Sequence, residues 1–161
     1  MGDQRMLKKL LILWLFLLPI KPVLAQIAVD ATVSSDQGAA ISTVATRTFS
    51  TSSGNELLLA FVSADNVSGT NTIVTGISGA GLTWALLVRT NVQRGTAEIW
   101  RAFAPSVLSN ISVTATLSQR VCFSMTVMSF TGVNTSGTNG SGAIGATGAG
   151  NANPGAPTAL L

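Results

Sequence analysis

Two stretches of this chain alternate their side chains with a period of two, and nothing in it sustains a helical period. IAVDATVS sets Ile27, Val29, Ala31 and Val33 against Ala28, Asp30, Thr32 and Ser34, and NISVTATLS sets Ile111, Val113, Ala115 and Leu117 against Ser112, Thr114, Thr116 and Ser118. Successive side chains of a strand point to opposite faces, so each stretch offers one face to a core and the other to water. ELLLAFVSA, Glu56–Ala64, is apolar on both faces, and CFSMTVMSF, Cys122–Phe130, is nearly so. That is the pattern of central strands covered on both sides. LTWALLVRT at 82–90 and TAEIWRAF at 96–103, joined by the turn-forming NVQRG, read as a hairpin. PSVLSN after Pro105 is at most a single turn, and no internal repeat is present. The expected fold is all-β: an antiparallel β-sandwich or jelly roll.

The amino-terminal residues have a different character. Arg5, Lys8 and Lys9 precede an apolar run from Leu10 to Ile20, and Val23 and Ala25 stand at the small-residue positions of a cleavage site. The run is about half the ~20 apolar residues of a spanning helix, so residues 1–25 read as a secretory signal peptide cleaved after Ala25. The product is expected outside the cell or at its surface, with no membrane attachment once the leader is gone. No Cys follows Ala25 to carry a lipid anchor.

Cleavage removes the basic character too. Arg47, Arg89, Arg94, Arg101 and Arg120 balance Asp30, Asp36, Glu56, Asp65 and Glu98, so the formal +3 of the whole chain belongs to the leader. Five scattered Arg and no Lys make a poor electrostatic footprint for phosphates, which excludes nucleic acid as a partner. Cleavage leaves 136 of the 161 residues, one domain's worth, with Cys122 as the single cysteine. No intramolecular disulfide can form, so the core supplies the stability, and Cys122 reads as a small strand residue or the site of an intermolecular bridge.

Residues 26–131 are thus the expected sandwich domain. From Thr131 onward the chain carries eight of its sixteen glycines and no charge. Residues 132–161 are expected to be a long surface loop or flexible linker, with PTALL opening a further strand that the chain does not contain. The sandwich is on this reading incomplete at its C-terminal end.

The absence of His and Tyr removes Ser-His-Asp and Cys-His catalysis and imidazole ligation of metals. No Lys beyond the leader can activate a serine, and no GxSxG turn occurs. Glu56 and Glu98 remain as a formal acid pair for glycoside hydrolysis, although their place at strand starts near Arg-bearing segments suits charges on a solvated face. No cofactor is implied. SADNVSGTNT offers Asp65, Asn66, Ser68 and Asn71 as oxygen donors of the sort Ca²⁺ takes, and the same residue types make turns. The glycines of GISGAG lack the following helix of a phosphate cradle. Four N-x-S sequons occur, at Asn66, Asn110, Asn134 and Asn139.

In GTAEIWRAFAP a strand places Thr96, Glu98, Trp100 and Ala102 on one face and Ala97, Ile99, Arg101 and Phe103 on the other. Neither face is cleanly polar, so an aromatic ring with Glu98 and Arg101 beside it is a candidate platform for a sugar. Core packing of Trp100 is the alternative, and Trp84, in phase with Leu82, Leu86 and Val88, is read as core.

The succession GNELLLAFVSAD, VTGISGAGLTWALLVRT, GTAEIWRAFAP, NISVTATLS and MTVMSFTGV resembles an amino-terminal module of secreted bacterial proteins. These jelly-roll-like β-sandwiches stand beside immunoglobulin-like or fibronectin type III repeats in large surface proteins. The similarity spans roughly residues 27 to 161 and is most specific where GLTW is followed by GTAEIWRAFAP. It implies the fold, a surface location, and extracellular glycans or neighbouring Ig-like domains as partners. It supplies no catalytic residues. The function expected is a non-enzymatic module for adhesion or carbohydrate contact, with a structural spacer as the alternative and an acid-pair hydrolase as a remote one.

Overall fold

The computed structural model describes residues 26–152 apart from 68, 70 and 93. The expected leader, Ser68 and the closing PTALL lie outside the described residues. Six antiparallel strands follow one another: β1 (Ala28–Ala45), β2 (Glu56–Ala64), β3 (Val74–Gly79), β4 (Ala85–Thr90), β5 (Thr96–Ala104) and β6 (Val113–Thr131). They form one open sheet in the order β1-β6-β2-β5-β4, with β3 paired to β6 off that path. The single turn of 3-10 helix at Ser141–Ala143 is the one helical element among the described residues.

β6 organises this sheet. Its inward residues keep one phase along the whole strand: Val113, Ala115, Leu117, Val121, Phe123, Met125, Val127 and Ser129 are all buried. The sequence reading divided this strand in two, at 111–118 and 122–130, because Gln119 and Arg120 interrupt the apolar run. The interruption changes polarity without changing phase, so the strand continues through it while its pairing with β1 slips there.

The two halves of β6 have different partners. Val113–Leu117 pairs with β3, and Phe123–Phe130 pairs with β2. β1 accompanies both, from Ala28↔Thr131 to Ala45↔Thr114. Between Gln37↔Phe123 and Ile41↔Val121 the extra residues fall in β1, and between Ile41↔Val121 and Thr43↔Thr116 they fall in β6. Such bulges bend a paired ribbon. Bending toward the same inward face folds the sheet over, so that Leu58 and Val62 of β2, Val74 and Ile77 of β3 and both halves of β6 share one core. The result is a sandwich-like all-β fold. Each fully buried side chain of the size of Leu58 or Met125 contributes about 1.5–3 kcal/mol of apolar burial.

The start of β1 departs from the expected facing. Ile27 and Val29 are exposed, at 61% and 52%, whereas Val33 packs on the core. A register shift between Val29 and Thr32 explains this, because one inserted residue moves the following side chains to the other face. At the opposite edge β4 pairs with β5 in the expected hairpin, with its own shift between Leu86 and Val88. PSVLSN is no turn of helix. It lies along the 46–55 loop, where Phe49 and Ile111 exchange backbone hydrogen bonds and Leu108 donates its amide to the Thr51 hydroxyl.

Beyond β6, residues 132–152 run back over the outer face of the sheet. The Asn139 carbonyl accepts a hydrogen bond from Arg101 Nη1 at 3.2 Å, and its side-chain oxygen accepts the Phe103 amide at 3.3 Å. Gly140 lies so close to Leu57 that a Cβ there would stand 2.8 Å from its Cδ1.

The β4–β5 hairpin depends on Gly95, whose φ of +86° is left-handed and whose Cβ would fall 2.2 Å from the Ala64 carbonyl oxygen. Gly95→Ala is expected to lower stability by at least about 2 kcal/mol in urea unfolding, whereas Gly145→Ala, with open space around it, is expected to be near neutral.

Candidate functional site

The two Glu side chains of the chain are among the least exposed of the described residues, with Glu56 at 0% and Glu98 at 2%. This corrects the expectation that both sit on a solvated face. A carboxylate removed from water must find donors, and Glu98 finds them on three strands. Its Oε1 accepts the Val74 amide of β3 at 2.8 Å and the Thr96 hydroxyl at 3.0 Å. Its Oε2 accepts Arg89 Nη2 of β4 at 3.0 Å and Trp100 Nε1 at 2.8 Å. Arg89 Nε stands 2.8 Å from Oε1 as an ion pair without hydrogen-bond alignment, and Nη2 also donates to the Val74 carbonyl at 2.9 Å.

This network decides how GTAEIWRAFAP is used. Thr96, Glu98, Trp100 and Ala102 face the core, with Trp100 half-buried and its indole N–H committed to Glu98. Arg101 is on the other face and reaches Asn139. The structure brings Trp100 and Glu98 together and separates Arg101 from both, so the three do not form one platform. Trp84 is buried as expected, with Nε1 donating to the Gly79 carbonyl at 3.4 Å.

The other sequence candidates are not assembled. Asp65 caps the Asn66 amide at 2.8 Å, and Asn71 turns its side-chain amide to the Asn91 carbonyl. Their polar atoms serve different neighbours, as turn residues do. Glu56 pairs across the ladder with Ala104, and Glu98 with Val62. Six residue steps along a strand place these carboxylates about 20 Å apart. Flanking a glycosidic bond requires about 5–9.5 Å.

A cavity does exist, on the outer face. Phe61, Ile99, Val88 and Thr126 are ladder neighbours and therefore share that face. Gly148–Gly150 crosses above them, enclosing a groove of about 450 Å³ edged by Ser63, Thr90 and Ser124. It adjoins a smaller hollow of about 290 Å³ where Asn91, Arg94 and Asn151 add polar groups. The larger groove has an apolar floor and a hydroxyl rim, which suits a neutral ligand with both apolar and polar faces. Sequence reasoning assigned no role to these residues. The available signal was the apolar second face of ELLLAFVSA, which requires a cover that the glycine-rich segment provides.

Comparison with protein-family models, with curated proteins and with solved structures returned no match.

Removing one side of the Glu98 network leaves the other buried and unmatched. Glu98→Gln is expected to cost about 3 kcal/mol in chemical unfolding. Pairing it with Arg89→Met should restore part of the loss, a coupling that a double-mutant cycle measures directly.

Proposed function

We propose that this chain is a secreted, non-enzymatic β-sandwich module that makes adhesive contact with neutral glycans at the bacterial surface. The observation that carries the reading is the outer-face groove. Phe61 offers a ring for the C–H face of a sugar, and Ser63, Thr90, Ser124 and Thr126 offer hydroxyls around it. The leader-like residues 1–25 and the zero formal charge of the remainder support export and a neutral partner. The lack of His, and the wide separation of Glu56 from Glu98, favour binding over catalysis. The likeness to amino-terminal modules of surface proteins supports the same setting.

The spacer reading is favoured by a separate observation, the internal use of Glu98, Arg89 and Trp100. In that reading the domain holds neighbouring Ig-like domains apart, and the groove is incidental packing.

A glycan array followed by calorimetric titration of the best polysaccharide distinguishes them. Phe61→Ala is expected to weaken binding at least tenfold, and Trp100→Phe to leave affinity unchanged while lowering stability. Absence of binding to any glycan, or equal affinity in Phe61→Ala, would overturn the glycan reading in favour of the spacer.

A further inference from the structure

The segment that covers the outer-face groove is fastened at its start and unfastened beyond it. Between Ser136 and Ile144 the chain ties itself down. Gly142 donates its amide to the Ser136 carbonyl at 3.0 Å, and the Thr138 amide donates to the Ser141 hydroxyl at 3.0 Å. The amides of Ser141, Ala143 and Ile144 close successive turns on the carbonyls of Thr138, Gly140 and Ser141. Asn139 fixes this anchor to β5 through Arg101 and Phe103. From Gly145 the attachment stops. Residues 145–150 make no hydrogen bond to any described residue, although Gly148–Gly150 lies over the floor of Phe61, Val88 and Ile99.

A segment that crosses the face of a sheet finds no ladder for its amides and carbonyls, so water must satisfy them. Local opening is easiest where peptide groups are already exposed and little apolar area is buried. Here 145–147 and Ala149 are exposed, and Gly148 and Gly150 are half-buried without side chains of their own. Gly150 lines both hollows together with Ser63, Thr90 and Ala97, and Asn151 and Ala152 continue along the smaller one. One loosely held segment therefore borders the whole cavity.

We propose that residues 145–150 are a lid on the outer-face groove, hinged at Ile144–Gly145, that lifts to admit a ligand and lowers again over it. With the lid down the groove keeps about 450 Å³, so a ligand and the closed lid coexist. The lid thus governs entry and exit, while the contacts made inside belong to the floor and rim. Ile144 is the last residue bonded to the anchor and is extended, at φ −103° and ψ 126°, and Gly145 has open space around it. The lid rests on the glycan reading for its biological ligand. A dye reads its motion separately, so that either inference can fail while the other stands.

The test is stopped-flow fluorescence with Nile red, a neutral dye that brightens in apolar surroundings, on the full chain, on a chain ending at Ile144 and on Gly145→Pro. The component of the signal lost in Phe61→Ala reports the groove. Removal of the lid is expected to raise the association and dissociation rates together, by at least about tenfold, because a lid obstructs both directions whereas a fixed wall alters dissociation alone. Gly145→Pro removes no hydrogen bond and asks of Ile144 the extended conformation it already has, so it should fold. Its stiffened hinge should slow both rates several-fold. Should the shortened chain not fold, the Gly145→Pro rates decide alone. No Phe61-dependent signal in the full chain, a truncation that speeds dissociation alone, or unchanged rates in Gly145→Pro would overturn the lid.

Discussion

A carboxylate inside an apolar sandwich costs stability wherever it lacks donors, and the arrangement of β3, β4 and β5 supplies them to Glu98. β3 lies off the main strand order and pairs only with β6. Its second attachment is the Val74 peptide, whose N–H meets Glu98 and whose C=O meets Arg89. The ion pair therefore works as a bracket between the two layers, taking the place of ladder bonds where the sheet folds over. A hydrocarbon pair could fill the same volume but could not fix β3 in register, since apolar contact has no direction.

The remainder of the architecture rests on β6. One strand with a single inward phase and two successive partners makes two layers out of one sheet, and the slips opposite Gln37 to Thr43 supply the bend. Stability comes from this shared core, without a cross-link: Cys122 is free and faces outward. Opposite the core, the outer face of β2 and β5 is sheltered by backbone. Glycine allows that backbone to approach Leu57 and Phe103 without side chains of its own.

Much of the fold was legible. β2 matches ELLLAFVSA residue for residue, and the β4–β5 hairpin falls where NVQRG marks its turn. What escaped was register. The bulge after Val29 reverses the facing of Ile27 and Val29, and no composition cue in IAVDATVS announces it. The continuity of β6 was available in the odd-numbered spacing but hidden by Gln119 and Arg120. The candidate sites were less readable, because they depend on which distant segments meet. Glu98 and Trp100 were noticed as chemistry, yet their partners Val74 and Arg89 are set by strand order. The groove arises where Gly148–Gly150 meets the outer face of β2 and β5, which local periodicity does not encode.

The two strands that end the ordered row, β1 and β4, both carry register slips. A strand at the edge of a sheet presents unpaired amides and carbonyls to any other strand that can lie straight beside it. Neither edge here offers an uninterrupted straight row, and neither has the Lys or Pro that commonly blunts such edges. Backbone irregularity along both edges thus opposes the straight edge-to-edge pairing of copies that the zero formal charge of residues 26–161 does nothing to repel.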